Sequence, residues 1–225
     1  MEGLKGLCLA GMHTDAVQAF GRIPLELDEV DAVSIAAHKI GGPVGIGALV
    51  CRQRVRLRPQ SFGGGQEQGR RAGTQDVRGA LAFAASAAAC DKNLESWRSE
   101  VSRRAQALLD ELEATGLGIV PSVSYDEVGW DGRLAGIASI LVPGIDSETL
   151  VLECDQAGFE VSAASACSSG SLDASHVLLA MGVPREAALC SLRISFDQRV
   201  SQDELVRFAR TLADIVARRR GQLGR

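Results

Sequence analysis

The clearest pattern lies near the end of the chain. Leu205, Phe208, Ala209, Leu212, Ile215 and Val216 recur every three or four residues, the spacing of one helical face. Ser201 stands just before them with Glu204 three positions on, so a capping box is expected to start the final helix. A second helical stretch runs from Asp76 to about Thr115. It holds no proline, only Gly79 among glycines, and many alanines and leucines. A long helix is expected there, broken near Cys90-Asp91 and stopped by Gly116 and Gly118. Two shorter helices are expected, from Ser147 to about Ala157 with Glu148 in the first turn, and from Ala174 to Met181 before Gly182.

Between these lie short apolar or alternating runs that read as extended chain. They are Gly6 to Met12, Ile23 to Leu27, Ala32 to Ala36, Ile46 to Cys51, Gly136 to Val142, Phe159 to Ser162 and Ser191 to Phe196. Pro59 to Gly73 is a polar loop, and few loops of that length are idle. Ala163 to Ser171 is a loop of small residues. Strands interleaved with helices define an α/β chain. The second half reads as a small α/β domain; the first half has only three or four strands before the long helix leads out of it. There is no internal repeat and no low-complexity linker.

Composition narrows the picture. With 225 residues, 46% of them hydrophobic, the chain can bury a real core in one large or two modest domains. A net charge of −4 gives no footprint for nucleic acid. The terminal arginines Arg218, Arg219, Arg220 and Arg225 read as a solvated helix end. No apolar run reaches membrane-spanning length, and the first residues are too short and mixed for a signal peptide. The six cysteines form no CxxC pair and most lie in apolar surroundings, as expected of a reduced, cytoplasmic protein.

Three groups carry candidate chemistry. Lys39 sits between a run of small apolar residues and the glycine-dense turn Gly41-Gly42-Pro43-Val44-Gly45. A desolvated lysine loses pKa and becomes a usable nucleophile and proton carrier. This setting suits a lysine bonded to a flat, phosphorylated cofactor; the competing reading is a loop lysine with its ammonium in solvent. His13, Asp15 and Gln18 gather after the first apolar run, at the strand end where α/β sheets bind ligands. Asp15 could meet a pyridinium N–H and Gln18 a phenolate oxygen, or Asp15 could simply cap a helix. His13, Asp15 and either His38 or His176 could alternatively form an iron-binding facial triad, although such sites need no adjacent lysine. Cys167 lies among small polar residues, where an accessible thiol becomes nucleophilic if the local field lowers its pKa. Arg193 lies within a strand and needs an anion, either a substrate carboxylate or a structural acid. Thr74 follows glycines and arginines and could meet a phosphate.

Taken together and in order, five segments strongly resemble the C-terminal portion of the cysteine desulfurases. These belong to the class V aminotransferase group of fold-type-I pyridoxal phosphate enzymes. The segments are HTDAVQAFGRIPLEL, VSIAAHKIGGPVGIGALV, FGGGQEQGRRAGTQD, SAASACSSGSLDASHVLLAMG and SLRISF, spanning nearly the whole chain. The resemblance implies an incomplete large pyridoxal-phosphate-binding domain at residues 1–85, with a partial mixed sheet. The long connecting helix and a small C-terminal α/β domain follow at residues 86–225.

Lys39 resembles the lysine that carries the cofactor as a Schiff base and shuttles a proton. Asp15 resembles the partner of the pyridine nitrogen, Gln18 the contact to the phenolic oxygen, and His38 a phosphate contact. Thr74 matches a threonine that reaches the phosphate held by the other subunit. Arg193 resembles the clamp for the substrate carboxylate, and Cys167 the nucleophile that becomes a persulfide. The implied reaction takes sulfur from L-cysteine, leaving L-alanine and a persulfide for iron–sulfur cluster or thiolated-product pathways. The implied partners are L-cysteine, a sulfur-acceptor protein, and either a second copy of the chain or a complementing N-terminal chain.

Two departures stand out. Ala36 occupies a position where the family usually has a phosphate-binding serine. The family's N-terminal region, which supplies a phosphate loop, a ring-stacking histidine and several strands, has no counterpart in these 225 residues. An inactive family remnant serving as a binding or scaffold module therefore stands as an alternative, as does a class V activity on another amino acid.

Overall fold

The computed structural model describes residues 11–123, 133–163 and 173–223. The chain divides into two compact units, Met1–Ser96 and Trp97–Arg225.

The first unit is built on a three-stranded sheet of β1 (His13–Asp15), β2 (Ala32–Ala36) and β3 (Gly47–Cys51), in that order. β1 and β2 run parallel, with His13 opposite Ala32 and Asp15 opposite Ser34. β2 and β3 run antiparallel, pairing Ala32 with Cys51 and Ala36 with Gly47. A side chain at Gly47 would stand 2.8 Å from the carbonyl of Ile35, so this close approach admits only glycine without a shift. The buried seed is Ala16, Val30 and Val33, with Ala19, Leu25 and Ile35 packed on it. Arg52 braces the long connection into β2: Nε donates to the Val30 carbonyl and Nη2 to those of Leu27 and Asp28, each at 2.8 Å.

The long helix α1 (Val77–Ala114) begins in this unit, and Phe83 meets Phe20 edge to face with ring centroids 6.3 Å apart. The break expected at Cys90-Asp91 is absent. Cys90 is buried with its Sγ 3.9 Å from the Ile40 carbonyl, and the polar side chains nearby return to their own helix. Ser86 Oγ donates to the Ala82 carbonyl and Asn93 Nδ2 to that of Ala89.

The second unit has an antiparallel sheet of β4 (Val120–Pro121), β5 (Ile137–Leu141) and β6 (Ser191–Ser195). Ala138 and Ile140 of β5 face Ile194 and Leu192 of β6, and all four are buried. They pack with Val101, Ala105, Leu108 and Leu112 of α1 and with Leu150 and Cys154 of α2 (Ser147–Gln156). α3 (His176–Ala180) and α4 (Arg185–Ala188) form a smaller cluster through Leu178 and Ala188. The final helix α5 (Gln202–Leu223) buries all six positions that its sequence spacing picks out. Each large apolar side chain so buried contributes about 1.5–3 kcal/mol.

The caps follow their sequence signals. Ser201 N donates to Glu204 Oε2 at 2.8 Å, and Glu204 N returns to Ser201 Oγ at 3.2 Å. Asp146 caps α2 by accepting from Thr149 N at 2.9 Å. Gly116 and Gly118 take positive φ after α1, as Gly182 does after α3.

Three stretches read as extended chain lie largely off the ladders or outside the described residues. Of the run from Gly6 to Met12, residues 6–10 lie outside the described residues, and the described strand begins at His13. The Met12 carbonyl accepts from Asp31 N and Ala32 N, and the ladder then continues through polar residues. Ile23 to Leu27 forms no strand; it follows a turn closed by Ile23 N on the Ala19 carbonyl, and Pro24 has no N–H to give a ladder. Of Phe159 to Ser162, only Ser162 pairs, in a single bridge to Arg193.

Among the described residues, no helix is long and apolar enough to cross a membrane. Among the described residues, β1 and β3 are the edges of their sheet. Leu49 and Val50 of β3 are 48% and 53% exposed, and Val44, Phe62, Val77 and Leu81 of the same unit are exposed as well.

Candidate active site

β1 and β2 are parallel neighbours, so their carboxyl ends lie on one edge of the sheet. β1 ends there with Asp15. β2 ends with Ala36 and passes at once into a single turn of 3-10 helix, Ala37–Ile40, that carries His38 and Lys39. Ala37 is fully buried and anchors the turn, which Gly41 closes at φ 80. His38 is exposed and Lys39 half-buried; the Lys39 carbonyl accepts from Arg22 Nη2 at 3.4 Å.

The Asp15 side chain is exposed, and its Oδ1 accepts from Val17 N at 2.9 Å. It thus closes an Asx-type turn; no helix follows for it to cap, because the chain after β1 runs through turns. Asp15 stands opposite Ser34, whose Oγ meets His13 Nε2 at 2.8 Å. His13 and Asp15 are two apart on β1 and share a face. Gln18 follows in the exposed turn after β1. The topology thus brings Asp15, Gln18, His38 and Lys39 to one sheet edge.

Thr74 is placed differently. It lines a cleft of about 650 Å³ in the first unit, with Phe20, Phe83, Glu67 and Arg71. Ile35 and Ala48, a facing pair on the side of the sheet away from Ser34, also line it. The cleft takes in none of Asp15, Gln18, His38 and Lys39. Its loop is fixed by Arg71, which reaches Glu67 through Nε at 2.6 Å and the carbonyls of Ala72 and Gly73 through Nη1 at 3.0 and 2.9 Å. Glu67 and Gln68 hold positive φ of 52 and 62, a conformation that costs a non-glycine residue about 1–3 kcal/mol. The cleft escaped sequence reasoning because five separate segments build it.

Arg193 lies on β6 in the second unit, opposite Ser139 of β5. Its Nη2 donates to Ser162 Oγ at 3.0 Å. Cys167 lies outside the described residues. Among the described residues, no group of three histidine, cysteine or acidic side chains is placed to hold a metal, so the facial triad has no support there.

The donor set suits pyridoxal 5'-phosphate. Asp15 offers a carboxylate whose Oδ1 is engaged by a single backbone N–H, and Lys39 offers a primary amine at the same edge. Ala36, the last residue of β2, offers only a methyl group at that edge.

The whole-chain comparison shows the class. The family model for aminotransferase class V matches residues 8–208, and the chain belongs to that family, which uses pyridoxal phosphate. Its relatives include a cysteine desulfurase of Gluconacetobacter diazotrophicus, 40% identical over 92% of this chain and 51% of that protein. The cysteine desulfurase NifS of Azotobacter vinelandii is 38% identical over the same shares. The X-ray structure of a NifS-like protein from Rickettsia africae matches with a TM-score of 0.79 at 28% identity, over 92% of this chain and 53% of that one. The chain spans about half the length of the curated relatives that it matches.

Proposed function

We infer that this chain supplies the lysine, aspartate and persulfide-forming cysteine of a pyridoxal-phosphate-dependent cysteine desulfurase. The observation that carries the reading is the placement of Asp15 and of the Lys39 turn at the carboxyl ends of adjacent parallel strands. The named relatives support it.

In this reading Lys39 would hold the cofactor covalently, Asp15 would accept its ring N–H, Gln18 would face the phenolic oxygen and His38 the phosphate. Thr74, on the other side of the sheet, serves the phosphate of a second subunit, which fits its separation from the Asp15 edge. The bound cofactor supplies an electron sink. Lys39 takes the proton from the α-carbon of L-cysteine and Arg193 holds the substrate carboxylate. The Cys167 thiolate attacks the substrate sulfur. An S–S bond forms on Cys167 and the Cβ–S bond breaks with its electrons left on carbon; Cβ takes up a proton and Lys39 returns one to the α-carbon, which gives L-alanine.

Site completion calls for more polypeptide. The exposed apolar residues of β3 and the first turns of α1 fit coverage by a second copy of the chain or by a complementing chain carrying the remaining half of a full-length relative. A sulfur-acceptor protein and a cytoplasmic location belong to the same reading.

The test is release of L-alanine and persulfide sulfur from L-cysteine, in the presence of pyridoxal phosphate, by the chain and by its Cys167→Ala variant. The chain by itself is expected to bind cofactor weakly and turn over poorly. Full activity is expected when the remaining half of a full-length relative is supplied, except in Cys167→Ala, which still binds cofactor. If the completed protein leaves L-cysteine unchanged while binding pyridoxal phosphate, the desulfurase reading falls and a family remnant, or an activity on another amino acid, takes its place.

A further inference from the structure

The arginines of the second unit mostly have their charge spoken for. Arg104 pairs with Glu100 through Nε at 2.9 Å, Arg210 with Glu111 through Nε at 2.9 Å, and Arg219 with Glu153. Arg193 is different. It is half-buried on β6, and among the described residues no carboxylate pairs with it. Its Nε is buried without a hydrogen-bond partner there. The side-chain acceptor it has is a neutral hydroxyl, Ser162 Oγ, at 3.0 Å from Nη2.

Ser162 is itself held firmly. It forms an antiparallel bridge with Arg193: Ser162 N donates to the Arg193 carbonyl at 3.1 Å, and Arg193 N donates to the Ser162 carbonyl at 2.7 Å. Facing residues of an antiparallel bridge project to the same side of the sheet. Ser162, Arg193 and Ser139 therefore form a row across that side, with the cation in the middle.

We propose that Ser162 is a positioning residue for Arg193: its hydroxyl fixes the guanidinium through one neutral hydrogen bond and leaves the positive charge for a ligand carboxylate. An acid at 162 would fix the same group equally well but would neutralise it. An alanine would leave the charge but free the long side chain to wander among rotamers. A hydroxyl alone does both jobs, orienting and not discharging. This deepens the assignment of Arg193 as the carboxylate clamp and rests on that reading.

The test follows the side-chain Nε–H of Arg193 by ¹⁵N NMR in the 225-residue chain supplied with the remaining half of a full-length relative, with Arg193→Lys identifying the signal. L-alanine is titrated in as the carboxylate probe and methylamine as the control without a carboxylate. The wild-type signal is expected to shift saturably with L-alanine only. Ser162→Ala needs roughly tenfold more L-alanine for half-saturation, the loss that one hydrogen bond to a charged group implies. Ser162→Thr, which keeps the hydroxyl, titrates like wild type. Ser162→Asp abolishes the response, because the internal ion pair uses up the charge.

Ser162→Thr guards against a folding artefact: a merely structural serine would not be rescued in ligand affinity while its acid variant lost it. Equal half-saturation for wild type and Ser162→Ala overturns the role of Ser162 and leaves Arg193 as the clamp. No response in wild type overturns the clamp itself and, with it, this proposal.

Discussion

Asp15 faces Ser34 across the parallel pair of β1 and β2, and Lys39 stands on the turn that ends β2. A carboxylate and an amine contributed by adjacent strands can then meet opposite sides of one flat ring. Lys39→Ala should abolish the visible absorbance that added pyridoxal phosphate gives the wild-type chain. Asp15→Ala should weaken cofactor affinity by roughly tenfold or more, as expected for a lost hydrogen bond between charged partners. An absorbance titration reads both, and unchanged curves would remove these residues from the site.

Ala36 ends β2 immediately before the turn that carries Lys39. Its methyl group offers nothing to a phosphate oxygen. Ala36→Ser should tighten pyridoxal phosphate binding by about tenfold through one added bond to a charged acceptor. Inorganic phosphate used as a competitor in the same titration locates the gain at the phosphate.

The second unit should show where its stability lies. Ser201→Ala removes one half of the reciprocal cap on α5 and should cost about 1 kcal/mol in urea unfolding. Leu212→Ala empties a fully buried position in the largest core and should cost about 2–5 kcal/mol. A smaller effect for Leu212 than for Ser201 would contradict the packing described above.

Cysteine reactivity should follow burial. Burial, then the neighbouring Glu153 charge, pushes the Cys154 thiol from its ordinary 9.0 to about 11. Iodoacetamide at pH 8 should leave Cys154 intact in the folded chain and modify it once the chain is unfolded, as read by peptide mass mapping. Its folded pKa lies above the unfolded one. The corresponding stability is therefore complete below about pH 9 and is lost as pH rises through about 11.

Acid should act in the opposite sense. The hydrogen bond from Arg103, then that from Arg104, holds the Glu100 carboxyl down at about 2 despite some desolvation. For Glu204 the backbone bond from Ser201 is the chief cause of a lowered value. Depressed carboxylates contribute stability above their unfolded values, near 4.5, and lose it as pH falls through the folded ones. Thermal melting should therefore be flat from pH 7 to 5 and fall steadily below about pH 4.5. Glu204→Gln should flatten part of that fall, whereas an identical acid profile in this variant would dissociate the cap from it.

Local signals were the legible ones. The capping box at Ser201 and Glu204, the helical spacing from Leu205 to Val216 and the stop at Gly116 and Gly118 each sit within a few residues, and the fold obeys all of them. β2 was readable to the residue because a small-residue run meets a glycine-dense turn. The pairing of His13–Asp15 with β2 was not, since it depends on what β2 offers across the sheet rather than on polarity along the chain. The bridge between Ser162 and Arg193 and the cleft around Phe20 and Phe83 join positions far apart in the chain, which no window of sequence displays together. The bond between His13 and Ser34 had a faint signal: Ser34 and Ala36 alternate on β2, so a polar side chain on the Asp15 face was foreseeable.

The flank of β3 has a practical meaning. With Leu49 and Val50 about half exposed along an outermost strand, its backbone can recruit any extended peptide of suitable length. Purified stocks will age by a route whose rate climbs with concentration. The remedy is a short peptide that lies down along that seam, and a stabiliser found in this way would carry the sequence pattern of the natural neighbour.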